Sequence, residues 1–300
     1  MRAEERRGTL AILVAAASYG FLSILVKFAL EAGVDVVPLA AWRFVLGASA
    51  VWLLLAARRR PLPPLESWPA LAGLGLLYSI DSLAYLAALQ WVPAATAVLV
   101  FYVYPVVVVL LAAVFLGERL TPPKLAATAA AMVGCALTVG GQLAGGHMLG
   151  FGLVLVAMLA LSAYIILSRP LMAVLPGHGS AAVTLGSTAI ILTVVALVFD
   201  DMSLGGGTRG LLLVAAISIL STALPITLFL MGLRHVGAGR AAVLSTIEPL
   251  VTVLLAALLL EERIGPLQLI GGTLILTAIL RLRSERPLPR SEVPSALDAP

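Results

Sequence analysis

Tyr78, Asp81, Ser82 and Tyr85 fall at i, i+3, i+4 and i+7, so they share one face of a helix. They offer a carboxylate, a hydroxyl and two phenols inside an otherwise apolar run. Polar groups in such a run face either a water-filled cavity or a hydrogen-bonded seam with another helix. Further along, Ser245, Glu248 and Thr252 stand at i, i+3 and i+7. Glu248 precedes Pro249, whose missing N–H leaves a carbonyl one turn earlier without its usual partner. That is tolerable in an apolar medium only where protein or water satisfies it. Tyr104–Pro105 repeats the arrangement upstream.

Arg43 also interrupts an apolar run. Its guanidinium suits a solute carboxylate, or a pairing with Asp81 or Glu248. Lys27 reads as a snorkelling side chain at the end of its run. The candidate solute-binding set is Arg43, Tyr78, Asp81, Ser82, Tyr85, Phe101, Tyr104, Tyr164, Ser245 and Glu248, with Pro105 and Pro249 as kinks. Asp81 and Glu248 are the acids placed to carry a proton at that depth.

No catalytic constellation accompanies these residues. The chain holds no G-x-x-x-x-G-K-[ST], H-E-x-x-H or C-x-x-C motif. His147, His178 and His235 are scattered over connections, and Cys135 is the single cysteine. No metal, cofactor or disulfide is expected. The Gly140–Gly141 and Gly271–Gly272 pairs allow close helix approach and do not follow a strand as a phosphate loop would.

The elements that must position these groups are helices in lipid. The chain is 61% hydrophobic and 11% charged, whereas soluble domains carry about 25% charged residues. Ten apolar runs reach spanning length, at about 9–30, 37–57, 69–89, 93–115, 123–142, 149–168, 181–200, 209–232, 239–260 and 266–283. They are continuous rather than alternating, which excludes a β-barrel. The net charge of +4 is dispersed between them and forms no nucleic-acid stripe.

The chain also repeats itself. Residues 89–125 and 233–269 align without a gap at an offset of 144, with sixteen identities in 37 positions. With the N-terminus in the cytoplasm, fifteen Lys and Arg residues lie on inner segments and two, Arg209 and Arg263, on outer ones. Both termini are therefore expected in the cytoplasm. Five spans per half is odd, so the second half enters from the opposite side. The expected architecture is all-α: a cytoplasmic N-terminus (1–8), two inverted five-helix repeats (9–142 and 149–283) and a disordered cytoplasmic tail (284–300). Glu118–Arg119 and Glu262–Arg263 close the matching fourth and ninth spans and read as interfacial anchors and helix stops.

The chain resembles a ten-span member of the drug/metabolite transporter superfamily with two EamA-type repeats. Four stretches carry the resemblance: Pro38–Leu39 with Arg43–Phe44; Ala87–Ala88–Leu89 through Pro93–Ala94; Tyr104–Pro105 through Leu116–Gly117–Glu118–Arg119–Leu120–Thr121; and Glu248–Pro249 through Glu261–Glu262–Arg263. Tyr19 stands where many members have Trp, with Tyr164 as its rough counterpart. The resemblance implies export of small metabolites such as amino acids, or of drug-like compounds, through a central cavity shared by both halves. The expected function is a secondary exporter in the cytoplasmic membrane, with a small-molecule substrate, the bilayer and either a monomer or a homodimer. A drug or nucleoside exporter is the nearest alternative. A nucleotide-sugar carrier would want more cavity cations than Arg43 and Lys27. An integral-membrane enzyme or a non-transporting scaffold leaves the repeat without a purpose.

Overall fold

A computed structural model describes residues 3–88, 91–92, 97, 100–139, 147–199, 202–259 and 265–284. Every regular element among them is helical. The helices are α1 (Ala3–Glu31), α2 (Val36–Arg58), α3 (Trp68–Ala88), α4 (Tyr104–Leu116), α5 (Pro122–Val139) and α6 (Met148–Val174). They continue as α7 (Gly177–Phe199), α8 (Gly207–Ser218), α9 (Leu224–Leu233), α10 (Ala238–Ser245), α11 (Ile247–Leu259) and α12 (Pro266–Ser284). A helix satisfies its own backbone, which is the requirement lipid imposes.

Among the described residues, seven helical stretches are long and apolar enough to cross a membrane. Four of them are α1, α2, α6 and α7; the others are Leu65–Ala88, Gly207–Leu233 and Ala238–Leu259. The three remaining apolar runs fall on α4, α5 and α12, of 13, 18 and 19 residues. Residues 261–263 and 285–300, which include Glu262–Arg263 and nearly all of the expected tail, lie outside the described residues.

Packing joins the helices before residue 140 to those after residue 147. α3 lies on α6 and α7, while α8 and α9 lie on α1, and α8 also on α2. α4 lies on α6, and α10 and α11 lie on α1. α2 meets α7, α4 meets α10, and α5 meets α12. Each partnership thus has a counterpart when the first five runs are exchanged with the last five. Small residues permit the close approach. A Cβ on Gly134 of α5 would stand 2.7 Å from the Gly271 carbonyl of α12. One on Gly75 of α3 would stand 2.5 Å from Ser187 Oγ of α7.

Two helices are interrupted at matching places. α10 ends at Ser245, Thr246 is a turn, and α11 starts at Ile247. Upstream, Tyr102 and Val103 form a turn between helical Phe101 and the start of α4. At the offset of 144, Tyr102 matches Thr246, while Val103 matches Ile247, where α11 already begins. Pro249 and Pro105 follow each break and remove the N–H that would close the helix there. A third irregularity, a π-helical segment at Ile219–Ala223, joins α8 to α9 just before Pro225.

Candidate substrate site

α3 carries the densest polar face, and its two sides meet different partners. Ser79 is 1% exposed and turns towards α7. There its hydroxyl donates to the Gly75 carbonyl, which also accepts from Thr188 Oγ1 at 3.0 Å. That side is a helix–helix seam, and the sequence pattern did not single it out.

Tyr78, Asp81 and Ser82 are buried on the other side. The Tyr78 and Tyr19 hydroxyls meet at 3.1 Å, linking α3 to α1. The Tyr78 ring sits edge-on to Phe44 of α2 at 5.7 Å and to Tyr164 of α6 at 5.2 Å. Arg43 of α2 donates from Nη2 to Ser82 Oγ at 3.4 Å, and its guanidinium carbon lies 4.6 Å from the Phe44 ring centroid. A cation held over an aromatic face is stabilised by the ring quadrupole. Four helices therefore build one cluster around Arg43, Tyr78, Asp81 and Ser82.

The cluster leaves polar atoms unmatched. Arg43 Nε, Asp81 Oδ1 and the Tyr164 hydroxyl are buried without a partner among the described residues. Buried polar groups ordinarily find partners, and one left alone costs about 1–3 kcal/mol. The sequence allowed Arg43 to pair with Asp81 or Glu248. Among the described residues it bonds Ser82 and lies on Phe44 instead, in no ion pair with either acid.

A second group adjoins it from α3, α4 and α10–α11. Phe101 packs against Tyr85 at 5.1 Å, Tyr104 at 5.9 Å and Tyr102 at 6.3 Å. Tyr104 reaches the Ala242 carbonyl of α10 at 3.5 Å. Glu248 interacts with Tyr102. Ser245 and Thr252 also make bonds that spacing alone did not indicate. Ser245 Oγ donates to the Ala241 carbonyl of its own helix. Thr252 Oγ1 lies 3.1 Å from both the Gly20 and Glu248 carbonyls, so it fastens α11 to α1. The i, i+3, i+7 reading assumed one continuous helix, and the break at Thr246 removes that assumption.

Sequence reasoning missed Tyr102 and Phe44. Tyr102 aligns with Thr246, so the repeat gave no hint of an aromatic there. Phe44 is 0% exposed and looked like ordinary apolar filling until its ring was seen beneath Arg43.

Glu118 also does more than end a helix. Gly117, at φ 64, stops α4. Glu118 then turns inward, where its Oε1 accepts from Ala238 N at 2.6 Å. Its Oε2 accepts from Lys124 Nζ at 2.7 Å and from Gly239 N at 3.3 Å. An anchoring role at an interface needs none of these bonds.

An EamA-like transporter family model matches the chain twice, over residues 6–140 and 148–283. The chain belongs to this family. A probable amino-acid metabolite efflux pump of Escherichia coli (strain K12) is 29% identical over 290 residues, 91% of this chain and 93% of the relative. A probable terminal-alkyne amino-acid exporter of Streptantibioticus cattleyicolor is 30% identical over 207 residues, 66% of this chain and 68% of the relative. An uncharacterized transporter of Bacillus subtilis (strain 168) is 27% identical over 298 residues, 90% of this chain and 93% of the relative. A crystal structure of a protein shares the fold with a TM-score of 0.79 at 23% identity, covering 91% of this chain and 95% of that one. As an EamA-like transporter, the chain is a multi-pass membrane protein that moves a small molecule and is not an enzyme.

Proposed function

We propose that this EamA-like transporter is a secondary carrier that exports amino acids or closely related metabolites across the cytoplasmic membrane. In this reading ten spans form two inverted five-helix repeats, and the substrate binds between them near the midplane. The observation that carries it is the unmatched pair on two successive helices of one cluster: a guanidinium N–H at Arg43 Nε and a carboxylate oxygen at Asp81 Oδ1, both buried. A zwitterion completes both at once, its carboxylate on Arg43 and its ammonium on Asp81. The names of the relatives from Escherichia coli and Streptantibioticus cattleyicolor point the same way.

The aromatic groups around the pair supply apolar contact for a substrate side chain. Rings from Phe44, Tyr78 and Tyr164 on one side, and from Tyr85, Phe101 and Tyr104 on the other, also suit a flat drug or nucleoside. That is the second reading, and it would leave the Arg43–Asp81 pair without a use.

The test is counterflow in proteoliposomes preloaded with an unlabelled amino-acid mixture. Labelled amino acid should enter transiently above equilibrium. Failure with amino acids and success with a nucleoside or a planar cation would favour the second reading. The orientation is tested separately: a reporter active only in the cytoplasm should be active when fused after Pro300. Activity of a reporter that works only outside the cytoplasm would overturn the orientation.

A further inference from the structure

Away from the candidate substrate site, the end of the bundle that carries the N-terminus holds a second polar cluster. Glu5 of α1 is 8% exposed, and its Oε1 accepts from Arg240 Nη1 of α10. Beside this pair, Glu118 caps the first turn of α10 and holds Lys124 of α5, which is 6% exposed. α10 is thus gripped by α1 on one side and by the α4–α5 turn on the other. The approach is close. A Cβ on Gly237 would meet Glu118 Oε1 at 2.7 Å, and one on Gly239 would meet Lys124 Nζ at 2.8 Å.

Three further observations bear on what the cluster does. First, α10 is only eight residues long and ends at the break before Pro249, so it has a hinge at the end opposite the grip. Second, side chains that are almost wholly buried fill the space between the cluster and Tyr19: Ile12, Ala15, Leu233, Ala241 and Leu244 are all 0% exposed. This end is closed. Third, the grip is incomplete. Glu5 Oε2, Thr9 Oγ1, Arg240 Nε and Arg240 Nη2 are buried with no partner among the described residues. A buried ion pair adds stability only when its remaining polar atoms are satisfied. One that leaves three of its own atoms unmatched, beside an unmatched Thr9 hydroxyl, is ill suited to be permanent glue, because an opened, hydrated arrangement competes with it.

We propose that Glu5–Arg240 and the Glu118 bridge to α10 form a latch that closes the N-terminal end of the bundle, and that α10 swings on the Thr246 break when the latch parts. The inference rests on the carrier reading, in which one end must open to admit substrate while the other is shut. It assigns Glu5, Glu118, Lys124 and Arg240 to gating and leaves them no contact with substrate.

The experiment uses Ala241→Cys in a Cys135→Ala background, purified in detergent, with the labelling rate of a water-soluble maleimide as the readout. Position 241 lies behind the latch, so labelling should be slow. Glu5→Arg, Arg240→Glu and Glu118→Gln should each accelerate it about tenfold or more. The Glu5→Arg/Arg240→Glu double variant re-forms the pair and should return the rate towards the starting value. If each single variant labels no faster, or the double swap labels as fast as the singles, the latch is refuted. A variant that merely unfolds would also expose a second probe, Ala181→Cys on α7; equal acceleration at that probe counts against the latch. The detergent readout needs no substrate. Counterflow failing in the wild type while labelling follows the latch pattern would therefore sink the carrier reading and leave the latch standing.

Discussion

The hydroxyls of Tyr19 and Tyr78 are 3.1 Å apart, and this bond joins α1 to the polar face of α3 within the cluster that holds Arg43 and Asp81. Each hydroxyl is the other's side-chain partner within that cluster. Removing one hydroxyl leaves the other unmatched, at about 1–3 kcal/mol. Tyr19→Phe and Tyr78→Phe should each lower the thermal midpoint in detergent, while the double variant should lie well above the sum of the two losses. Additive losses would mean that the bond does not form.

α3 should show three different faces to a thiol reagent. Cysteines at positions 78, 81, 82 and 85, in the Cys135→Ala background, should react with a small water-soluble reagent. Position 76 should not, because Leu76 is 49% exposed on the outer surface of the bundle and meets lipid there. Position 79 should not either, because Ser79 is sealed in the α3–α7 seam. Equal labelling of all six positions would remove the solute-facing assignment.

The α3–α7 seam makes a prediction about stability alone. Gly75→Ala puts a methyl 2.5 Å from Ser187 Oγ and 2.9 Å from the Thr184 carbonyl. Overpacking of this kind costs about 1–3 kcal/mol. No neighbouring element comes within 4 Å of such a methyl on Gly152 of α6, so Gly152→Ala is the control and should leave the midpoint unchanged or raised. Equal midpoints for the two variants would show that the seam yields freely.

The two acids make a prediction about coupling. Asp81→Asn and Glu248→Gln keep shape and remove charge. If one of them carries a coupling proton, its substitution should abolish uphill accumulation and preserve exchange between preloaded vesicles and medium. Normal accumulation with normal pH dependence in both variants would reduce the acids to a structural role.

Much of this arrangement could be read from residue types and spacing. Apolar runs located the helices because lipid forces each segment to satisfy its own backbone. The offset of 144 matched Pro105 with Pro249, and the structure puts a helix break before each. The face of Tyr78, Asp81 and Ser82 was legible because a helix fixes which residues share a side. Three things were not. Arg43 had three possible anions or acceptors, and only packing decided for Ser82 and the Phe44 ring. The bond from Thr252 to the Gly20 carbonyl was not legible, and the break at Thr246 separates Ser245 from the helix that carries Glu248 and Thr252. Glu118 looked like a surface charge, since nothing local tells that a glycine-lined helix start from 120 residues later will meet it.

The most direct test of the account is amino-acid counterflow by wild-type protein and by Arg43→Gln, with apparent affinity as the measured quantity. Arg43 is assigned to the substrate carboxylate, so its loss removes a charge-assisted hydrogen bond inside a buried site. The account predicts counterflow by the wild type and an apparent affinity about ten- to hundredfold weaker in Arg43→Gln, with the variant still folded by its thermal midpoint. An unchanged affinity in Arg43→Gln, or no counterflow of any amino acid by the wild type, would contradict it.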